Sequence, residues 1–224
     1  MRKRIYGIET EYGLLIKDTE FRLNPEEVAS RIKNHIFQTK LGVLDLHYRA
    51  NDEPPGNGGF LRNAGRIYLD MGHLEYASPE CSTLTDLVTY DRAGDSVIQD
   101  AVEDLGWSDQ IGIIKNNVDL ETNATFGCHE NYLVSRNFPF DERDNLKLLS
   151  AFPVTRQIFC GAGRIGGCNP HPFRDWEGTS VEEEAEVDFQ ISQRADHIPN
   201  EFYRWVQYNR AIVNTRDEPL SDPS

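Results

Sequence analysis

Basic residues are scarce: 23 Lys and Arg stand against 37 Asp and Glu in 224 residues, a formal charge of −14. That excess opposes loose attraction to phosphate backbones or anionic lipid, so general nucleic-acid and membrane-surface binding are disfavoured. Long hydrophobic runs are missing too. No stretch approaches the ~20 consecutive apolar residues that cross a bilayer. The opening MRKRIYGIETEYG sets two Glu where a signal peptide needs its apolar segment. A soluble, cytoplasmic chain is expected. Cysteine is sparse, and Cys81, Cys128, Cys160 and Cys168 lie 47, 32 and 8 residues apart. This spacing suits neither a CxxC metal pair nor a dense disulfide framework, and it predicts reduced, structural thiols. There is no GxxxxGK[ST], HExxH or GxSxG. Gly161, Gly163 and Gly166 match GxGxxG by letter only, because the prolines of the following CNPHPF oppose a helix start there.

What is present suffices for a core: 38% hydrophobic residues, with eleven Phe, nine Tyr and three Trp, a composition that excludes wholesale disorder. At ~150 residues per domain, one large unit is the default. Residues 3–16 read as a strand with Glu9 and Glu11 on one face, between Gly7 and Gly13, and Tyr6, Ile8, Thr10 and Tyr12 on the other. Asn24, Pro25 and Glu27 signal a helix start, and Val28, Ile32 and Ile36 recur with helical spacing over roughly three turns. Residues 48–59, rich in Pro, Gly and Asn, predict a surface loop. In the strand pattern that follows, Arg66, Tyr68 and Asp70 alternate with Ile67 and Leu69. A long helix is expected from Ser82 or Thr83 to about Leu105, its apolar stripe formed by Leu84, Leu87, Val88, Ile98, Ala101, Val102 and Leu105. Strands are predicted at 111–115 and 127–135, a helix kinked at Pro153 over 141–160, a long Gly-rich and acidic loop over 161–186, and strands at 187–192 and in AIVNTRDEP.

Paired carboxylates carry the chemical signal. Glu9 and Glu11 share one strand face, where they repel each other and lose hydration if covered, so burial without a cation is costly. A solvent-facing strand edge is the alternative. Arg66, Tyr68 and Asp70, with Glu75 after a short turn, form a second polar face. Oxygen-only ligation of this kind suits Mg²⁺ rather than zinc, and carboxylate-bound Mg²⁺ usually accompanies a nucleotide phosphate. Arg216, between Asn214 and Asp217 in NTRDEP, suits clamping of a phosphate or carboxylate. His129 with Asn131, Arg156, Arg194 and Asn116–Asn117 are weaker candidates. The acidic run Glu182–Glu186 reads as a solvated loop.

The ordered motifs GIETEYG, GRIYLDMGHLEYASPEC, YDRAG, KNNVD, GCHENYL, VTRQIFCGAG, SQRADHI and IVNTRDEP resemble the family of the Pup ligase and the Pup deamidase or depupylase. These enzymes are relatives of glutamine synthetase and other carboxylate-amine ligases. The resemblance runs from residue 4 to about 219. It implies an α+β fold, a curved and mainly antiparallel sheet backed by helices, with ATP and Mg²⁺ on the concave face. By motif position it implies Glu9 and Glu75 as magnesium ligands, with Tyr68 against the metal and Glu11 beside them. Arg66, Ser78 and Arg216 would meet ATP, and Asp70 would be the catalytic base. The implied partners are a small ubiquitin-like modifier, Pup, and proteins offering a lysine.

GIETE, GCHENYL, VTRQ and SQRA are worded like the ligase, whereas the five-residue step from Asp70 to Glu75, followed by SPEC, is worded like the deamidase. A ligase is the leading expectation. Hydrolysis of the same bond is the alternative, and a paralogue that binds Pup or nucleotide without turnover is the third reading. Members of the family continue well past NTRDEP, so residues 1–224 are expected to be the N-terminal part of a catalytic domain, with an incomplete sheet whose last strand lies at the break.

Overall fold

The structure is a computed structural model that describes residues 5–18, 20–48, 54–119, 124–133, 151–152, 155–156, 158–161, 163–165, 173–174, 180–181, 188–191, 202–207 and 210–215. Strand β1 spans Tyr6–Ile16 and helix α1 Pro25–Gln38, followed by β2 (Gly42–Leu44), β3 (Gly58–Leu61), β4 (Arg66–Asp70) and β5 (His73–Ala77). Helix α2 covers Leu84–Asp104 and precedes β6 (Ile111–Ile114) and β7 (Cys128–Leu133). Four short strands follow, β8 (Arg164–Ile165), β9 (Phe173–Arg174), β10 (Ser180–Val181) and β11 (Phe189–Gln190), and then the hairpin β12 (Phe202–Gln207) and β13 (Arg210–Thr215). One nine-stranded sheet runs β12-β13-β7-β1-β5-β4-β3-β2, with β6 on the C-terminal half of β1. Its pairings are antiparallel, so the fold is α+β as expected.

Helix α1 begins where the sequence signals it. The Asn24 side chain accepts from Glu27 N–H, the Glu27 carboxylate accepts from Asn24 N–H, and Pro25 occupies the first turn. Thr83 caps α2 by accepting from Asp86 N–H. Both helices cover the same face of the sheet. Val28, Ile32 and Ile36 of α1 and Ile98, Ala101 and Val102 of α2 enclose Tyr12, Ile67, Leu74 and Tyr76 from the strands. Each fully buried large aliphatic chain there contributes roughly 1.5–3 kcal/mol. Register then sends the alternate residues of β1, β4 and β5 out of the opposite face.

Several expectations change. Leu84 and Val88 are 65% and 60% exposed; only the C-terminal half of the α2 stripe packs into the core. Gly58 and Gly59, expected in the loop, open β3, where a side chain at Gly58 would strike Tyr68 of the neighbouring strand. The stretch expected to be one long loop contains β8, β9 and β10. The AIVNTRDEP strand is not at a break in the sheet: β13 pairs with β7 on one side and with β12, absent from the sequence reading, on the other. Cys81, Cys128 and Cys160 are free thiols, as expected; Cys168 lies outside the described residues. Among the described residues no helix is long and apolar enough to cross a membrane.

Gly94 marks the closest approach of α2 to the sheet. A Cβ there would lie 2.3 Å from Cδ1 of the buried Tyr76 ring. Gly94→Ala gains up to ~1 kcal/mol in helix propensity but should lose roughly 1–3 kcal/mol to overpacking. A lowered melting temperature is therefore expected, and a raised one would show that the ring yields.

Candidate active site

The face turned away from the helices carries an acidic row. Glu11 of β1 stands directly opposite Glu75 of β5, and Glu75 opposite Tyr68 of β4. One step along, Ala77 stands between Glu9 and Arg66, and Glu9 faces His129 of β7 on its other side. Antiparallel pairing thus brings Glu9, Glu11, Tyr68 and Glu75 together from three strands. The spacing from Glu11 to Glu75 does not encode that meeting; only the motif resemblance implied it.

Polar contacts fix these side chains. The Tyr68 hydroxyl donates to Glu9 Oε1, while His129 Nδ1 lies 3.0 Å from Glu9 Oε2 and His73 Nδ1 3.2 Å from Glu11 Oε2. Burial alone would lift the Glu9 carboxyl, but hydrogen bonds from His129 and Tyr68 together with the His129 charge outweigh it, holding Glu9 below the ordinary range. Glu75 goes the other way. It is 2% exposed, and burial with the charges of Glu9 and Glu11 beside it pushes its carboxyl up to about 9. Burial, then Glu9 and Glu75, keep the Tyr68 phenol protonated well above its usual range. The hydrogen bond to Glu11 leads in raising the His73 imidazole.

Three carboxylates thus crowd one face, and burial with their mutual repulsion favours the protonated form of Glu75. A divalent cation on hard carboxylate oxygens fits this donor set. Among the described residues no three His, Cys, Asp or Glu side chains form a ready-made ligand shell, because Glu9 is turned to His129 and Tyr68, and Glu11 to His73. A cation would take over from these proton-bearing partners. His73 escaped the sequence reading, although its parity with Glu75 after the Met71–Gly72 turn signals the shared face. His129 was only a weak candidate there.

Asp70 ends β4, opposite His73, and is exposed at the open end of the row. The next two residues, Met71 and Gly72, have φ of 47° and 89°, the left-handed pair that a two-residue hairpin demands. Met71 is 91% exposed, and its left-handed backbone costs roughly 1–2 kcal/mol. The turn sets Asp70 out toward solvent.

Arg66 stacks its guanidinium on the Tyr68 ring, 4.5 Å from the centroid, and reaches Phe60 at 5.8 Å. Ser78 directly follows Ala77, the β5 partner of Arg66, and lies in a cleft of about 260 Å³ lined by Gly7, Glu9, Ala77, Ser78, Asn131 and Tyr132, among others. The Ser78 hydroxyl accepts from Ile8 N–H at 3.0 Å and donates to Pro79 O at 3.1 Å. A ligand oxygen in the cleft would have to draw that donated hydrogen from Pro79. β13 stops at Thr215, and Arg216 and Arg194 lie outside the described residues. Arg156 is buried, 2.9 Å from Glu130, a structural ion pair.

Comparison with known proteins gives the family. The model of the family described as Pup-ligase protein fits residues 4–224. The chain belongs to the Pup-ligase family. The Pup–protein ligase of Corynebacterium glutamicum (strain R) is 38% identical over 231 residues, spanning 99% of this chain and 43% of that protein. The ligase of Mycolicibacterium vanbaalenii is also 38% identical, over 99% of this chain and 44% of its own. A solved complex of the prokaryotic ubiquitin-like protein Pup with its ligase PafA superposes with a TM-score of 0.67 at 33% identity, covering 96% of this chain and 41% of that one. PafA in complex with ADP gives 0.56 at 31%, covering 91% and 43%. The chain spans less than half the length of these relatives.

Proposed function

We propose that this chain carries the metal, nucleotide and base residues of an ATP-dependent ligase joining a glutamate carboxylate of Pup to a substrate lysine. The observation that carries the reading is an exposed carboxylate, Asp70, at the end of a half-buried acidic row, in a chain 38% identical to Pup–protein ligases. Glu9, Glu11 and Glu75 would hold Mg²⁺, with Tyr68 beside it; the cation would neutralise charge on the transferring phosphoryl group. Arg66, Ser78 and Arg216 would orient the nucleotide.

In the first step a Pup carboxylate oxygen bonds to the γ-phosphorus of ATP and the bond to ADP breaks, giving an acyl phosphate. In the second, Asp70 takes a proton from the lysine ammonium. The neutral nitrogen then bonds to the acyl carbon, the carbon–oxygen bond breaks, and the nitrogen's second proton leaves with the phosphate as hydrogen phosphate. An ammonium has no free electron pair, so the base decides the second step.

The short Asp70–Glu75 step favours a second reading in which water replaces lysine. Incubating the full chain with Pup ending in Glu, ATP and a lysine-bearing protein should yield equal amounts of conjugate, ADP and phosphate. Release of ammonia from Pup ending in Gln, or of Pup from a conjugate, without net ligation would establish the hydrolytic reading instead.

A further inference from the structure

Asp70 occupies the last position of β4, beside an exposed turn, where a strand end is ordinarily loosest. A base must nevertheless meet its nucleophile at hydrogen-bond distance. Regular β3–β4 pairing reaches only Gly58 opposite Tyr68. Beyond it, Asn57 continues the ladder by a different device: its backbone carbonyl accepts from Leu69 N–H at 3.2 Å and its side-chain Nδ2 donates to Leu69 O at 2.6 Å. Leu69 immediately precedes Asp70.

Asn57 is held in turn. The carbonyl of Gly56 accepts from Lys33 Nζ at 2.6 Å, Gly56 N–H donates to Asp45 O at 2.8 Å, and Asp45 N–H donates to Gly58 O at 2.8 Å. Lys33 lies on the core helix α1 and is 5% exposed. Burial lowers its ammonium pKa, and one of its three N–H donors goes to a carbonyl of this loop. A continuous line of contacts thus runs from α1 through Lys33, Gly56, Asn57 and Leu69 to Asp70.

We propose that Asn57, anchored by Lys33, is a positioning residue that holds the Asp70 carboxylate toward the incoming amine by extending the β3–β4 ladder to the residue before it. The proposal rests on the reading of Asp70 as base. Hydroxylamine separates aim from fold, because at neutral pH it attacks as a free amine and needs no base. In the full chain, Asn57→Ala should lower kcat for transfer to lysine ~10–100-fold, as misplacement of a catalytic group does, while the KM for ATP and hydroxylamine-dependent release of phosphate stay near wild type. Asn57→Asp keeps the shape and loses the donor, so it should fall at least as far. Lys33→Met keeps the apolar stem and should show a milder form of the same split.

Wild-type lysine transfer in Asn57→Asp overturns the proposal, as does a loss of lysine and hydroxylamine reactions in equal measure. Asp70→Asn runs alongside as the reference. If it fails to spare hydroxylamine, the base assignment falls and the tether with it. If Asp70→Asn shows the split and the Asn57 variants do not, the tether alone is wrong.

Discussion

Asp70→Asn is expected to reduce transfer to lysine by at least ~100-fold, the lower end of the range for loss of a general base, with nucleotide affinity nearly unchanged. The substitution keeps the shape of a side chain at the end of β4 and leaves Glu9, Glu11 and Glu75 in place. Single-turnover transfer to lysine, measured beside nucleotide titration, checks it. Parallel loss of both would make Asp70 a ligand rather than a base, and an active variant would defeat the assignment altogether.

Glu75→Gln should stabilise the protein without metal while removing its response to Mg²⁺. Burial and the charges of Glu9 and Glu11 raise the Glu75 carboxyl from an ordinary 4.5 to about 9. Between those values the folded state keeps a proton that the unfolded chain has released. The Glu75 contribution to stability is therefore fully present below the unfolded pKa and is lost as pH rises toward the folded one. Glutamine has no proton to lose. Its advantage should be small near pH 5 and grow to the order of a few kcal/mol by about pH 8, at about 2–4 °C of melting temperature per kcal/mol for a chain of this size. Saturating Mg²⁺ should reverse the ranking, because the wild type alone gains binding energy. Thermal unfolding at both pH values, in chelator and in Mg²⁺, measures all four corners. A variant less stable than wild type at pH 8 in chelator would mean that Glu75 is not the strained group.

The two substitutions act on different parts of one face, and they differ in what the sequence could show. Alternation along β1 set Glu9 and Glu11 together, and alternation along β4 did the same for Arg66, Tyr68 and Asp70, because a strand turns successive side chains to opposite faces whatever its neighbours are. The Asn24, Pro25 and Glu27 start of α1 and the Thr83 cap of α2 were equally legible, since capping uses groups within three residues of each other.

The partners were not legible. Opposition of Glu11 to Glu75, and of Glu9 to His129 120 residues away, depends on which strands pair and in what register, and that is decided by burial of the opposite face on α1 and α2. The same non-local choice exposed Leu84 and Val88 on an otherwise helical stripe, drew Gly58 into β3 and enclosed β13 between β7 and β12. The sequence by itself determined which residues are acidic, which elements carry them and which face of each strand they occupy, all properties of a short stretch of backbone. Only the tertiary structure decided that three carboxylates share one face, that burial and their repulsion raise the carboxyl of one of them, and that an asparagine from a loop completes the strand beneath Asp70. Charge repulsion, desolvation and ladder hydrogen bonds depend on distances between atoms that the chain alone does not bring together.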